Sequence, residues 1–139
     1  MGWNNRVTVF GDITGDIYYD VLQLTDKSLP FLRVYMMING TRESKEVKGL
    51  RIVFYGTQAE LAEAQLKMGS RIQVEGHIQV RKIRNEGIVV EVVAEHVVYI
   101  RNYDREKGSQ RYKEMLVSGK IQAGEDEPLE LPVSVEAWE

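Results

Sequence analysis

From Arg71 to Arg81 the chain alternates without a break for 11 residues. Ile72, Val74, Gly76, Ile78 and Val80 fall on one side of a period-two pattern, and Arg71, Gln73, Glu75, His77, Gln79 and Arg81 fall on the other. Such a segment is a half-buried strand about 36 Å long at about 3.3 Å per residue. Gly76 at its middle allows the strand to bend. A long, bent, one-sided strand suits a small closed barrel, whose strands tilt and turn corners at glycines or bulges.

The neighbouring segments supply the other staves. Val7, Val9, Gly11 and Ile13 alternate with Arg6, Thr8, Phe10 and Asp12, a first strand that reaches a turn near Thr14, Gly15 and Asp16 and continues from Tyr18 to Leu24. After a polar turn from Thr25 to Pro30, FLRVYMMIN sets Val34, Met36 and Ile38 against Arg33, Tyr35 and Met37 as a second strand. A charged loop, NGTRESKEVKG, precedes a third strand with Leu50, Ile52 and Phe54 opposed to Arg51, Val53 and Tyr55. The period then changes. TQAELAEAQLKMG carries Thr57 and Glu60 at capping-box spacing, Leu61, Ala62, Gln65 and Leu66 on one helical face, and Gly69 as a stop. The 71–81 strand follows, KIRNEG makes a hairpin connection, and Ile88 to Ile100 is a last strand rich in Val and Ile. Three strands, one short helix and two strands is the order of the OB-fold, an all-β, five-stranded Greek-key barrel. The barrel is expected over 1–103 and an acidic C-terminal extension over 104–139, in which RYKEMLVSGKIQ alternates weakly enough to add a strand or hairpin.

Composition narrows the function classes. With 139 residues and 43% apolar content the chain can build one real core. It has no cysteine, so disulfides and thiolate metal sites are excluded, and a reducing, cytoplasmic setting is expected. No leader-like segment opens the chain, and no apolar run nears the roughly 20 residues that span a bilayer. Charge is unevenly spread. Residues 1–113 hold 17 basic against 14 acidic residues, whereas 114–139 hold one lysine against seven acids. His77 and His96 stand on separate strands without acidic residues at ligand spacing, so neither a metal nor another cofactor is expected. Glu75 and Glu91 have no nucleophile beside them, and cross-strand pairing with arginine is their expected role. Nothing here points to an enzyme.

Two blocks of sequence resemble the bacterial single-stranded DNA-binding proteins: NRVTVFGDITGD at 5–16, and LRIVFYGTQAELAEAQLKMGSRIQVEGHIQVRK at 50–82, where a strand, a glycine, an Ala-Glu helix, Lys-x-Gly-Ser, Val-Glu-Gly and a basic tip follow in order. The likeness covers roughly 5–103. It implies a non-enzymatic protein that coats single-stranded DNA during replication, recombination or repair. It also implies a homo-oligomer, with a tetramer favoured over a dimer. The aromatic platforms on which this family stacks bases are largely missing, because the corresponding positions are Gly49, a residue near Arg42, and Ile83, and only Tyr55 keeps an aromatic.

The residues that replace them are expected on the outward face of the second and third strands, where Arg33, Tyr35, Arg51 and Tyr55 interleave cations with rings. That pairing suits single strands, since arginine meets phosphate or lies on a base and tyrosine stacks. Lys45, Lys48, Arg81, Lys82 and Arg84 are loop and hairpin cations able to follow a backbone, joined by Arg6 and Trp3. The bland alternatives are a solvated or subunit-covered sheet face and a hairpin tip kept soluble by charge. EDEPLELPVSVEAWE departs from the family's tail, but its acids and Trp138 make a loose analogue of a segment that recruits replication or repair proteins or competes with DNA. A second hypothesis follows from the missing tryptophans: an OB-fold interaction module of a replication-restart or mobile-element complex, with nucleic acid secondary.

Overall fold

A computed structural model describes residues 4–38, 49–121 and 129–130. Its elements are β1 (Val7–Gln23), β2 (Ser28–Ile38), β3 (Leu50–Tyr55), α1 (Thr57–Gln65), β4 (Arg71–Ile83), β5 (Gly87–Arg101), α2 (Arg105–Val117) and the two-residue β6 (Leu129–Glu130). The sheet runs β3-β2-β1-β4-β5-β6 and closes on itself where β3 pairs with β5 in parallel, Ile52 opposite Val92 and Val53 opposite Val93. The other contacts within the barrel are antiparallel. This is the OB-fold barrel that the order of elements implies. No helix among the described residues is long and apolar enough to cross a membrane.

The alternating residues meet inside. Ile13, Leu32, Val34, Met36, Ile52, Phe54, Ile72, Val74 and Val92 form one buried cluster, which α1 joins through Ala59, Ala62 and Leu66. β1 runs on as one strand through the position where a turn is expected from the sequence, its register with β2 shifting between Thr14 and Tyr18. Gly76 sits at a second shift, between β4 and β5. A Cβ there would run into the Val93 carbonyl, so the glycine serves the close approach of two backbones as well as the bend.

Three expectations are corrected. Residues 111–122 were expected to add a strand or hairpin, but 105–117 form α2. Asp104 caps it by accepting from the Lys107 amide at 3.0 Å, and Tyr112, Met115 and Leu116, at helical spacing, pack on Leu61 of α1 with Ile121. The capping box at Thr57 and Glu60 does not form. Gly56 takes the N-cap position, its carbonyl accepting from Ala59 and Glu60, and the Glu60 carboxylate instead holds Lys120 at 2.9 Å. Ile78 and Val80, expected in the core, share the parity of Ile72 and Val74 but are 43% and 63% exposed, because β4 and β5 run past the end of the barrel as a hairpin that no other described residue covers.

Candidate nucleic-acid interface

The outward face of β2 and β3 is built by strand parity. With Leu32, Val34, Ile52 and Phe54 turned inward, Phe31, Arg33, Tyr35, Arg51 and Tyr55 must point out. Register sets them side by side, Phe31 opposite Tyr55 and Tyr35 opposite Arg51. The β4–β5 hairpin forms one wall through Arg81, Ile83 and Glu86. β1 forms the other through Tyr18 and Leu22. Between them lies a groove of about 370 Å³.

Rings line its middle. Phe31 stands 5.3 Å from Tyr55 and 6.3 Å from Tyr18, centroid to centroid. The Arg33 guanidinium lies over two tyrosines, 4.9 Å from the Tyr35 ring and 5.6 Å from the Tyr18 ring, and its Nη2 donates to the Asp16 carbonyl at 3.4 Å. The Tyr18 hydroxyl donates to Asp20 at 3.2 Å, and the negative charge of that carboxylate pushes the phenol above its ordinary range.

Charge is organised around Glu91, whose side chain is fully buried. It accepts from Arg51 Nε at 2.8 Å, Arg81 Nε at 2.6 Å and Gln79 Nε2 at 2.7 Å. Burial pushes the carboxyl up, but these hydrogen bonds outweigh it and hold the group below the usual carboxylate range. The same contact raises Arg81 further. Arg51 also reaches the Tyr35 hydroxyl at 3.3 Å and Glu86 at 3.6 Å. The expected pairing of Glu91 with arginine is therefore present, twice. Glu75 is exposed and faces His96 in register, and His77 Nδ1 lies 3.1 Å from Glu95.

Of the sequence candidates, Arg33, Tyr35, Arg51, Tyr55 and Arg81 come together at this groove. Lys82 and Arg84 are exposed at the hairpin end, and Arg6 is exposed just before β1, whose Val7 pairs with Gly76, away from the rings. Trp3, Arg42, Lys45, Lys48 and Trp138 lie outside the described residues. Gly49, where the resemblance implies an aromatic, has φ 109° and its Cβ would meet the Met36 carbonyl oxygen at 2.6 Å, so a ring cannot be added there without moving β2. Two groove rings escaped the sequence. Phe31 shares the parity of Arg33 and was open to the same inference, whereas Tyr18 follows the irregularity in β1, beyond which parity no longer transfers.

The arrangement offers stacking surfaces and paired cations, with no nucleophile beside a general base among the described residues. Comparison with known proteins identifies the family and the fold. Residues 4–100 match the model of the single-strand binding protein family. Among solved structures the chain is similar to the SSB domain of a Synechococcus sp. protein, with 15% identity and a TM-score of 0.53 over 70% of this chain and 97% of that one. It is also similar to the N-terminal domain of PriB from Thermoanaerobacter tencongensis, described as dimeric, with 19% identity and a TM-score of 0.51 over 72% of this chain and 100% of that one. At these identities the likeness to solved structures speaks for the fold. No curated protein matches the chain.

Proposed function

The chain belongs to the single-strand binding protein family, and on that premise we propose that it binds single-stranded DNA without sequence preference, in replication, recombination or repair, by seating bases in the groove between β1, β2, β3 and the β4–β5 hairpin. The observation that carries the proposal is the row Tyr18, Phe31 and Tyr55, flanked by the Arg33 guanidinium, which lies over Tyr18 and the neighbouring Tyr35. Any base offers a face to such a row, so the groove tolerates sequence, and a duplex, whose bases are already stacked, gains nothing from it. Tyr55 keeps its aromatic, and Tyr18 and Phe31 add rings beside it where Gly49 and Ile83 supply none.

The test is fluorescence anisotropy with a labelled oligo-dT of about 35 nucleotides against a duplex of equal length. Base–aromatic stacking is worth about 1–3 kcal/mol per base, so Tyr55→Ala is expected to weaken single-strand binding by that amount and leave assembly unchanged. Normal binding by both Tyr55→Ala and Tyr18→Ala would remove the groove from consideration. A second reading, a protein-interaction module with nucleic acid secondary, has in its support the apolar face of the hairpin, which no described residue covers. It gains if the wild-type protein ignores both oligonucleotides.

A further inference from the structure

The three groove arginines are not equivalent. Arg33 is held by two rings and a carbonyl, and makes no ion pair among the described residues. Arg51 and Arg81 both give their Nε to Glu91, and Arg51 has Glu86 beside it as well. Counting Arg33, Arg51 and Arg81 against Glu86 and Glu91, the groove carries a net charge of +1, far less than its arginines suggest.

A phosphate approaching Arg51 or Arg81 also meets the field of a carboxylate less than 3 Å from each Nε, and the attraction largely cancels. Nor can an incoming strand take the arginines away. Glu91 is fully buried, and losing its cations would strand a bare charge inside the protein. Gln79 occupies the second oxygen together with Arg81, so the carboxylate is saturated and its position fixed.

We infer that Glu91 is a positioning residue that converts Arg51 and Arg81 from phosphate contacts into a nearly neutral floor on which bases lie, leaving Arg33 and the exposed Lys82 and Arg84 of the hairpin to meet phosphates. The ligand so described is a single strand with its bases turned into the groove and its backbone along the outside. This rests on the single-strand reading above and adds the orientation and charge balance of binding. Its consequence is a shallow salt dependence. Each phosphate neutralised on a single strand contributes a slope of about −0.7 to log K against log salt, and two of the three groove arginines contribute little of it.

The experiment is an anisotropy titration of the full chain with the same labelled oligo-dT at a series of salt concentrations. Glu91→Gln keeps the shape and removes the charge, so it is expected to steepen the slope by about 0.7 to 1.4, as one or both guanidiniums reach phosphate, and to tighten binding at low salt. Arg33→Gln is expected to flatten the slope by about 0.7, and Arg81→Gln by less than half as much. A folded Glu91→Gln protein, verified by circular dichroism, whose slope equals the wild type's overturns the inference. So does an Arg81→Gln slope that falls as far as that of Arg33→Gln, and this second comparison decides the matter if Glu91→Gln does not fold. Failure of the wild-type protein to bind the strand at any salt overturns the single-strand reading and the inference with it, whereas the two slope results overturn the inference alone.

Discussion

Along β4 and β5 one alternating pattern meets two fates. Near the helices, Ile72 and Val74 on β4 and Val97 and Tyr99 on β5 are 7% exposed or less. Toward the hairpin tip, on the same parity of β4 and, past the bulge that leaves Glu95 unpaired in the register, on the opposite parity of β5, Ile78, Val80, Ile88 and Val90 are 43% to 75% exposed. The residue types do not differ; what lies opposite does. The first group faces Phe54, Ile52 and the inner side of α1, while the described residues supply nothing to cover the second. Apolar side chains stabilise a fold by about 25 cal/mol per Å² only where water is removed from them, so periodicity reports which face a residue occupies and a second element decides whether that face is core.

The covered end is where the largest effect is expected. Phe54 is the largest fully buried side chain of the core, and Phe54→Ala should cost about 3–5 kcal/mol in denaturant unfolding. A cost below about 1 kcal/mol would mean that the barrel end is loosely filled and that the contrast with the tip is one of degree. Next in size is the loss of single-strand affinity from Tyr55→Ala, about 1–3 kcal/mol, with unfolding stability lowered less than by Phe54→Ala because Tyr55 is only half-buried on the outer face. A smaller effect is expected at α2. Asp104→Ala removes the acceptor for the Lys107 amide and should cost about 1 kcal/mol. Unchanged melting in that variant would show that the helix is held by Met115 and Tyr112 packing alone.

The barrel was legible because its strands alternate for long stretches and the change of period at Thr57 marks α1. α2 was not. Gly108 interrupts its pattern, and its apolar residues Tyr112, Met115 and Leu116 satisfy weak alternation nearly as well as helical spacing. The cue that separates the two lies upstream, in Asp104 as an N-cap after Asn102 at positive φ. Gly108 itself has a packing reason, since a Cβ there would press on the buried Gln65 side chain of α1, and no local rule reveals a neighbour 43 positions away. The groove divides in the same way. Arg33, Tyr35, Arg51 and Tyr55 follow from parity, but the Glu91 clamp joins residues 40 apart in sequence, and a lone acid in an apolar strand signals a partner without saying which.

The smallest effect bears on the tip. Val80 pairs with Val90 across the hairpin, both more than half exposed. Thr matches Val in shape and in strand preference, so Val80→Thr and Val90→Thr alter only the polarity of the surface offered. If that face meets water in the working protein, each should change unfolding stability by less than about 0.5 kcal/mol. A loss of 1 kcal/mol or more would mean that something beyond the described residues covers the face. Repeating the melt at a tenfold higher protein concentration then identifies the cover: binding of a second copy to the folded chain raises its stability by mass action, so the melting temperature of the wild-type protein would climb with concentration and that of the threonine variants would climb less. A concentration-independent loss would place the cover within the same chain, in residues 39–48 or those after Ile121, and the hairpin would cease to be the uncovered half of the comparison.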